Sequence, residues 1–244
     1  MDVRDKAVVV AGGSGSLGSA IVGALLERGA RVASIDARSA DSTPKSVLAL
    51  SADLADDQDV ANTLQAVVGQ YGKIAVLVNC AGLIHSEPLV NLTNSQQRRH
   101  AIESWNGVIR SNLTAAFVVS AQVAEHMATT RSRGVIINFS SIAACGNPGQ
   151  TAYSAAKAGV EAMTAVWARE LGPLGIRAVA IAPGFVATPS TQAAMPDAAL
   201  ADLKRRTPLL RLAKPSEIAS AVFFAIENDF ITGTTIAVDG GLVL

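Results

Sequence analysis

The chain has 244 residues, half of them apolar, enough for one α/β domain with a substantial core. Its 20 basic and 20 acidic residues cancel, which argues against a polyanionic partner such as nucleic acid. Two distant cysteines, Cys80 and Cys145, and three scattered histidines, His85, His100 and His126, argue against a metal site or a disulfide framework; with a charged start and no apolar stretch of membrane-spanning length, a cytoplasmic location is expected.

The first apolar run, Ala7-Val8-Val9-Val10-Ala11, is β-branched and ends in Gly12-Gly13-Ser14-Gly15-Ser16-Leu17-Gly18, after which 19–28 has helical periodicity. Strand, glycine turn and helix together form a phosphate-binding geometry: glycines admit a pyrophosphate close to the backbone, and the helix start offers free N–H groups. A second strand over 31–35 ends in Asp36, close to the spacing at which a carboxylate meets adenosine ribose hydroxyls. That carboxylate would repel a 2′-phosphate, which favours NAD over NADP, while Arg38 pulls the other way.

A third strand over 47–50 leads into Asp53-Leu54, a helix is expected over 56–71, and a fourth strand over 75–79 runs into Cys80-Ala81-Gly82. Strands alternating with helices predict a doubly wound parallel sheet flanked by helices on both faces, with its ligand beyond the carboxyl ends of the strands. The polar stretch 83–104 breaks the rhythm and reads as a loop with a short helical piece. From Trp105 a long helical pattern runs through Asn112, Phe117 and Val123. A fifth strand, Gly134–Phe139, ends at Ser140-Ser141; a helix over 151–171 and a sixth strand over 176–182 follow.

The central helix opens with Tyr153 and Lys157, four residues apart and therefore on one face. A phenol with an ordinary pKa of about 10 is a poor base at neutral pH unless a nearby cation stabilises its anion, and Lys157 is placed to supply one. The segment 183–208, opened by Pro183-Gly184-Phe185-Val186-Ala187-Thr188-Pro189, is expected to fold over a ligand as a lid. Pro215 starts another helix, and 235–238 forms a last strand before Asp239-Gly240-Gly241. No repeat, low-complexity tract or linker divides the chain, so 1–244 is expected to be a single domain.

With these parts in order, the chain resembles the short-chain dehydrogenase/reductase family over its whole length. The resemblance rests on the glycine turn, Asn79-Cys80-Ala81-Gly82 in place of the family's Asn-Asn-Ala-Gly, Asn112, Ser140, Tyr153 and Lys157, Pro183-Gly184, and Val238-Asp239-Gly240-Gly241. It implies a Rossmann-type fold and a nicotinamide-dependent oxidoreductase, with Tyr153 as general acid/base, Ser140 on the substrate oxygen, Lys157 on the nicotinamide ribose and Asn112 holding a relay water. By the same resemblance Gly12, Gly15, Ser16, Leu17, Gly18, Asp36, Asp53, Leu54, Asn79, Cys80, Ala81, Gly82, Pro183, Gly184, Val186 and Thr188 bind the cofactor, and the assembly is a homotetramer.

Two points depart from the family pattern. Ser16 replaces its middle glycine, and Ser141 competes with Ser140, which precedes Tyr153 by the family's usual 13 residues. The long 83–104 stretch, Ile181-Ala182-Pro183-Gly184 with Thr188-Pro189, and Ala225-Ile226-Glu227-Asn228 resemble type II 3-hydroxyacyl-CoA dehydrogenases. The implied substrate is a 3-hydroxyacyl or 3-oxoacyl thioester, with another small hydroxy or keto compound as the alternative. Arg98 and Arg99 suit a CoA phosphate or a solvated helix face equally. A non-catalytic dinucleotide sensor is a second reading that Ser16 favours and the full catalytic set opposes; a sugar-nucleotide epimerase would need a larger substrate domain.

Overall fold

The computed structural model describes residues 1–37 and 44–244; Arg38 lies outside the described residues. Seven strands form one parallel sheet: β1 (Ala7–Ala11), β2 (Arg31–Asp36), β3 (Leu48–Ser51), β4 (Ile74–Asn79), β5 (Gly134–Phe139), β6 (Ile176–Pro183) and β7 (Thr235–Val238). Their spatial order is β3-β2-β1-β4-β5-β6-β7, so the winding reverses between β1 and β4, and a crevice opens there beyond the strand ends. This is the doubly wound Rossmann-type arrangement expected from the alternating pattern.

β1, β4 and β5 are buried at every position, which is why they read as apolar runs interrupted only by Asn79 and Asn138. Alternate residues serve opposite layers. Val8, Val10, Val76 and Val78 meet α1 (Ser16–Glu27) and α8 (Pro215–Glu227) through Ile21, Leu25, Ile218 and Val222. Val9 and Leu77 meet α2 (Asp57–Tyr71) and α4 (Ala115–Thr129) on the other face through Leu64, Val67, Val119 and Met127.

A buried polar ladder runs through the sheet. Asn79 and Asn138 are register partners on β4 and β5; Asn79 Nδ2 donates to Asn138 Oδ1 and to Ser120 Oγ of α4, both at 2.8 Å. Asn138 Nδ2 then donates to Thr164 Oγ1 of α5 (Thr151–Leu171) at 2.9 Å.

The long helix expected from Trp105 begins earlier, as α3 (Ile102–Ile109), and passes into α4 through a π-helical turn at Arg110–Thr114. Asn112 Nδ2 donates to Val108 O at 3.0 Å, the carbonyl that its own backbone N–H would use in an α-helix. The side chain thus competes with the helix ladder where the widened turn occurs. Of the stretch 83–104, only 102–104 are helical, as the start of α3; before them lies an antiparallel bridge between Val90 and Arg99. The segment 183–208 carries two helices, α6 (Pro189–Ala194) and α7 (Asp197–Arg206). Among the described residues no helix is long and apolar enough to cross a membrane.

Candidate active site

The ends of β1, β4, β5 and β6 border a cleft of about 310 Å³. Its floor begins at the glycine turn. Gly12 sits at φ +81°, and a Cβ there would lie 2.5 Å from Ala81 N, so only glycine lets the end of β1 rest against the chain leaving β4. At Gly18 an added Cβ would collide with the Gly12 carbonyl oxygen, which fixes α1 tightly behind the turn. No side chain caps α1, leaving its first N–H groups open to a ligand. Asp36 braces the turn from the end of β2: Oδ2 accepts Ser14 N–H at 3.1 Å and Oδ1 accepts Ala37 N–H at 2.9 Å. A backbone cradle at a helix start, with a carboxylate beside it, fits a dinucleotide.

Tyr153 and Lys157 enter the cleft from the first turns of α5 and are 8% and 4% exposed. Lys157 Nζ donates to Phe139 O at 2.8 Å and stands 5.6 Å from the Tyr153 ring centroid. Burial pulls the Lys157 ammonium down to about 8, against an opposing pull from Cys80. Burial likewise raises the Tyr153 phenol above its ordinary value, with a hydrogen bond from Ser141 acting in the opposite direction. In this arrangement desolvation outweighs the Ser141 hydrogen bond, and the phenol is raised. Cys80, beside Lys157 in the cleft, is pushed up to about 12 by burial and stays a neutral thiol.

The two candidate serines have different partners. Ser140 Oγ donates to Glu161 Oε1 at 2.7 Å and lies 3.3 Å from Lys157 O, so its hydroxyl proton is committed to α5. The hydroxyl that bears on the phenol belongs to Ser141, which also accepts Ala143 N–H at 3.1 Å and caps a 3-10 turn at Ile142–Cys145. Asn112 is 1% exposed; its Nδ2 is anchored to Leu83 O at 2.8 Å, and its Oδ1 is buried without a partner among the described residues.

A family model described as enoyl-(acyl carrier protein) reductase matches residues 11–243. The chain is 35% identical over 256 residues to a 3-oxoacyl-(acyl-carrier-protein) reductase of Thermotoga maritima, with both chains fully covered. The chain belongs to the short-chain dehydrogenase/reductase family. Other relatives are the human 3-hydroxyacyl-CoA dehydrogenase type-2, 35% identical over 98% of this chain and 96% of that one, and the mouse (3R)-3-hydroxyacyl-CoA dehydrogenase, 33% identical over 99% and 98%. As a short-chain dehydrogenase/reductase it is an oxidoreductase of an alcohol and carbonyl pair that uses a nicotinamide cofactor.

Of the residues that the short-chain dehydrogenase/reductase pattern singles out, Gly12, Gly15, Ser16, Leu17, Gly18, Cys80, Ala81, Gly82, Asn112, Ser140, Tyr153, Lys157, Pro183, Gly184, Val186 and Thr188 all line the one cleft. Four others lie apart from its lining. Asp36 stands behind the glycine turn, and Asn79 belongs to the polar ladder inside the sheet. Leu54 is in the core, while both oxygens of Asp53 are engaged, Oδ1 by Ala55 N–H at 3.0 Å and Oδ2 by Arg110 at 2.6 Å. The Arg110 hydrogen bond, followed by that from Ala55, holds the Asp53 carboxyl below its ordinary value.

Sequence reasoning missed Ile84, Ile142, Ala143, Asn147, Gln150, Phe185, Ser190, Thr191 and Leu244 in the lining. Ser190 and Thr191 lie within 183–208, the segment expected as the lid, and beside Thr188, without being singled out by type or spacing. The 83–104 insertion is stitched to the cleft by Glu87. Its N–H donates to Gly149 O at 2.7 Å, Oε1 accepts the N–H of Ala101, the N-cap of α3, at 2.9 Å, and Oε2 pairs with His85 Nε2 at 3.1 Å. The bonds to its carboxylate, His85 first and then Ala101, pull Glu87 down to about 2.

Proposed function

We propose that the chain interconverts 3-hydroxyacyl and 3-oxoacyl thioesters with NAD. The observation that carries the chemistry is the buried Tyr153 phenol in the cleft, with Ser141 against it and Lys157 one turn further along the same helix. The relatives' names, which specify 3-oxoacyl and 3-hydroxyacyl substrates, support the substrate class. So do the apolar side chains of Ile84, Ile142, Ala143, Phe185 and Leu244 along the cleft, suited to an acyl chain.

The glycine turn, with Gly12, Gly15, Ser16, Leu17 and Gly18, would hold the pyrophosphate, and Asp36 the adenosine ribose, where its charge would reject a 2′-phosphate and favour NAD over NADP. Asp53 and Leu54 would flank the adenine. Cys80, Ala81, Gly82, Pro183, Gly184, Val186 and Thr188 would enclose the remainder, and segment 183–208 would close as the lid. When bound, the nicotinamide supplies a hydride acceptor for oxidation or a donor for reduction.

Tyr153 Oη takes the proton from the substrate hydroxyl during oxidation and returns it during reduction, while Ser141 Oγ hydrogen-bonds the same oxygen. Lys157, cationic at neutral pH, favours the transient phenolate and reaches the cofactor ribose. The orphaned Oδ1 of Asn112 offers an acceptor for a water that relays the proton onward from Lys157. Residues 1–244 act as one catalytic domain in a cytoplasmic homotetramer. The half-exposed Phe117 on α4 and Val166 on α5 support a subunit contact along these helices.

The test pairs wild type with Tyr153→Phe and follows nicotinamide absorbance with NAD and NADP against 3-hydroxyacyl thioesters and plain secondary alcohols. Turnover should be strongest on thioesters with NAD and fall by roughly 100- to 10,000-fold in the variant. Equal turnover by the variant would overturn the role of Tyr153, and preference for simple alcohols would overturn the substrate class.

A further inference from the structure

Ser16, the residue that replaces a family glycine, is the first residue of α1, and its hydroxyl faces away from its own helix ladder toward segment 183–208. Ser190 Oγ, on the first turn of α6, donates to Ser16 Oγ at 3.2 Å, joining positions 174 residues apart. Ser190 Oγ is also 2.9 Å from Thr188 Oγ1, which is itself 2.9 Å from Thr191 Oγ1 and accepts Thr191 N–H at 3.1 Å. Four hydroxyls thus run in a chain from the glycine turn to the start of the covering segment, and all four line the cleft.

Each hydroxyl has a single proton to donate. Ser190 gives its proton to Ser16, and the Ser16 proton has no acceptor among the described residues. That free donor stands at the start of α1, where uncapped N–H groups and the helix dipole favour an anion.

We propose that Ser16 and Ser190 form a hydroxyl clasp that fastens segment 183–208 over the cofactor pyrophosphate, with the Ser16 O–H donated to a phosphate oxygen and Ser190 acting as a further cofactor-positioning residue. The inference rests on the dinucleotide reading above. A phosphate acceptor polarises the Ser16 hydroxyl and strengthens the bond it receives from Ser190, so cofactor binding tightens the clasp and cofactor release must break it. A glycine at position 16 holds the pyrophosphate by backbone alone and leaves the covering segment untied at this point. The substitution therefore shifts part of the cofactor's retention from the turn to the segment.

The experiment is a stopped-flow displacement of NADH, followed by nicotinamide fluorescence, from wild type, Ser16→Gly, Ser190→Ala, Ser190→Thr and the Ser16→Gly/Ser190→Ala double variant. Ser190→Ala should release NADH roughly three- to tenfold faster, the range expected for one lost hydrogen bond. In the Ser16→Gly background it should add nothing, and Ser190→Thr should restore slow release. Proteolysis within 189–206 under saturating NADH should quicken in the same variants that release it faster. Release at the wild-type rate by Ser190→Ala, or independent effects of the two substitutions, overturns the clasp alone. Failure of wild type to bind NADH or NADPH overturns the cofactor reading and the clasp with it.

Discussion

Replacing Lys157 with Met should make the protein more stable at neutral pH while it abolishes turnover. The side chain is 4% exposed, and burial lowers its pKa from 10.5 to about 8. Below about pH 8 both the folded and the unfolded chain carry the proton, and the folded state bears the full cost of a desolvated ammonium. Between about 8 and 10.5 the unfolded chain keeps a proton that the folded chain has lost, so wild-type stability rises with pH through that window. The gap corresponds to about 3 kcal/mol at pH 7, narrowing to about 1 kcal/mol at pH 10. The bond from Nζ to Phe139 O drops out of this slope, because a neutral amine still donates. Urea unfolding of both proteins at matched concentration, from about pH 7 to about pH 10, measures the convergence. Curves that stay parallel would refute the claim that burial of this ammonium governs the slope.

Three further outcomes are expected. Ser141→Ala should lower kcat by roughly 100-fold or more, as for loss of a donor to the reacting oxygen, whereas Ser140→Ala should cut the link to Glu161 and leave kcat within a few-fold; nicotinamide absorbance separates them. Glu87→Ala should raise KM more than it lowers kcat and speed amide exchange across 83–101. Because the Glu87 carboxyl is depressed to about 2, its stabilisation is present above about pH 4.5 and disappears as pH falls through about 2, a loss the alanine variant should not show in acid unfolding. Asp36→Ala should shrink the preference for NAD over NADP by about tenfold, read as the ratio of kcat/KM values, since one unit of negative charge beside the ribose is removed.

The strands and the pairing of Tyr153 with Lys157 were legible because their signals are local. β1, β4 and β5 are buried at every position and apolar apart from Asn79 and Asn138, and Tyr153 and Lys157 share a helix face by spacing alone. What was not legible depends on partners distant in the chain. Counting 13 residues back from Tyr153 reaches Ser140, but Glu161 claims that hydroxyl from two turns along α5. The π-helical turn at Asn112 arises from side-chain bonds to Val108 and Leu83 that no apolar period encodes. In 83–104, expected as a loop with a short helical piece, only 102–104 are helical, and the rest is held by Glu87 binding Gly149, Ala101 and His85. The clasp could not be read because it needs the glycine turn and α6 brought together across the cleft.

The ladder of Ser120, Asn79, Asn138 and Thr164 bolts α4 and α5 to the same two adjacent strands. Sliding either helix along the sheet would strand buried donors and acceptors, at roughly 1–3 kcal/mol apiece. The ladder therefore works as a machinist's jig: it sets the spacing between the helix that continues from Asn112 and the helix that bears Tyr153, whatever happens at the rim. An engineer reshaping the cleft has freedom at Ile84, Ile142 and Phe185, which line its wall, and almost none at those four polar positions, where changes alter whether the tools still line up.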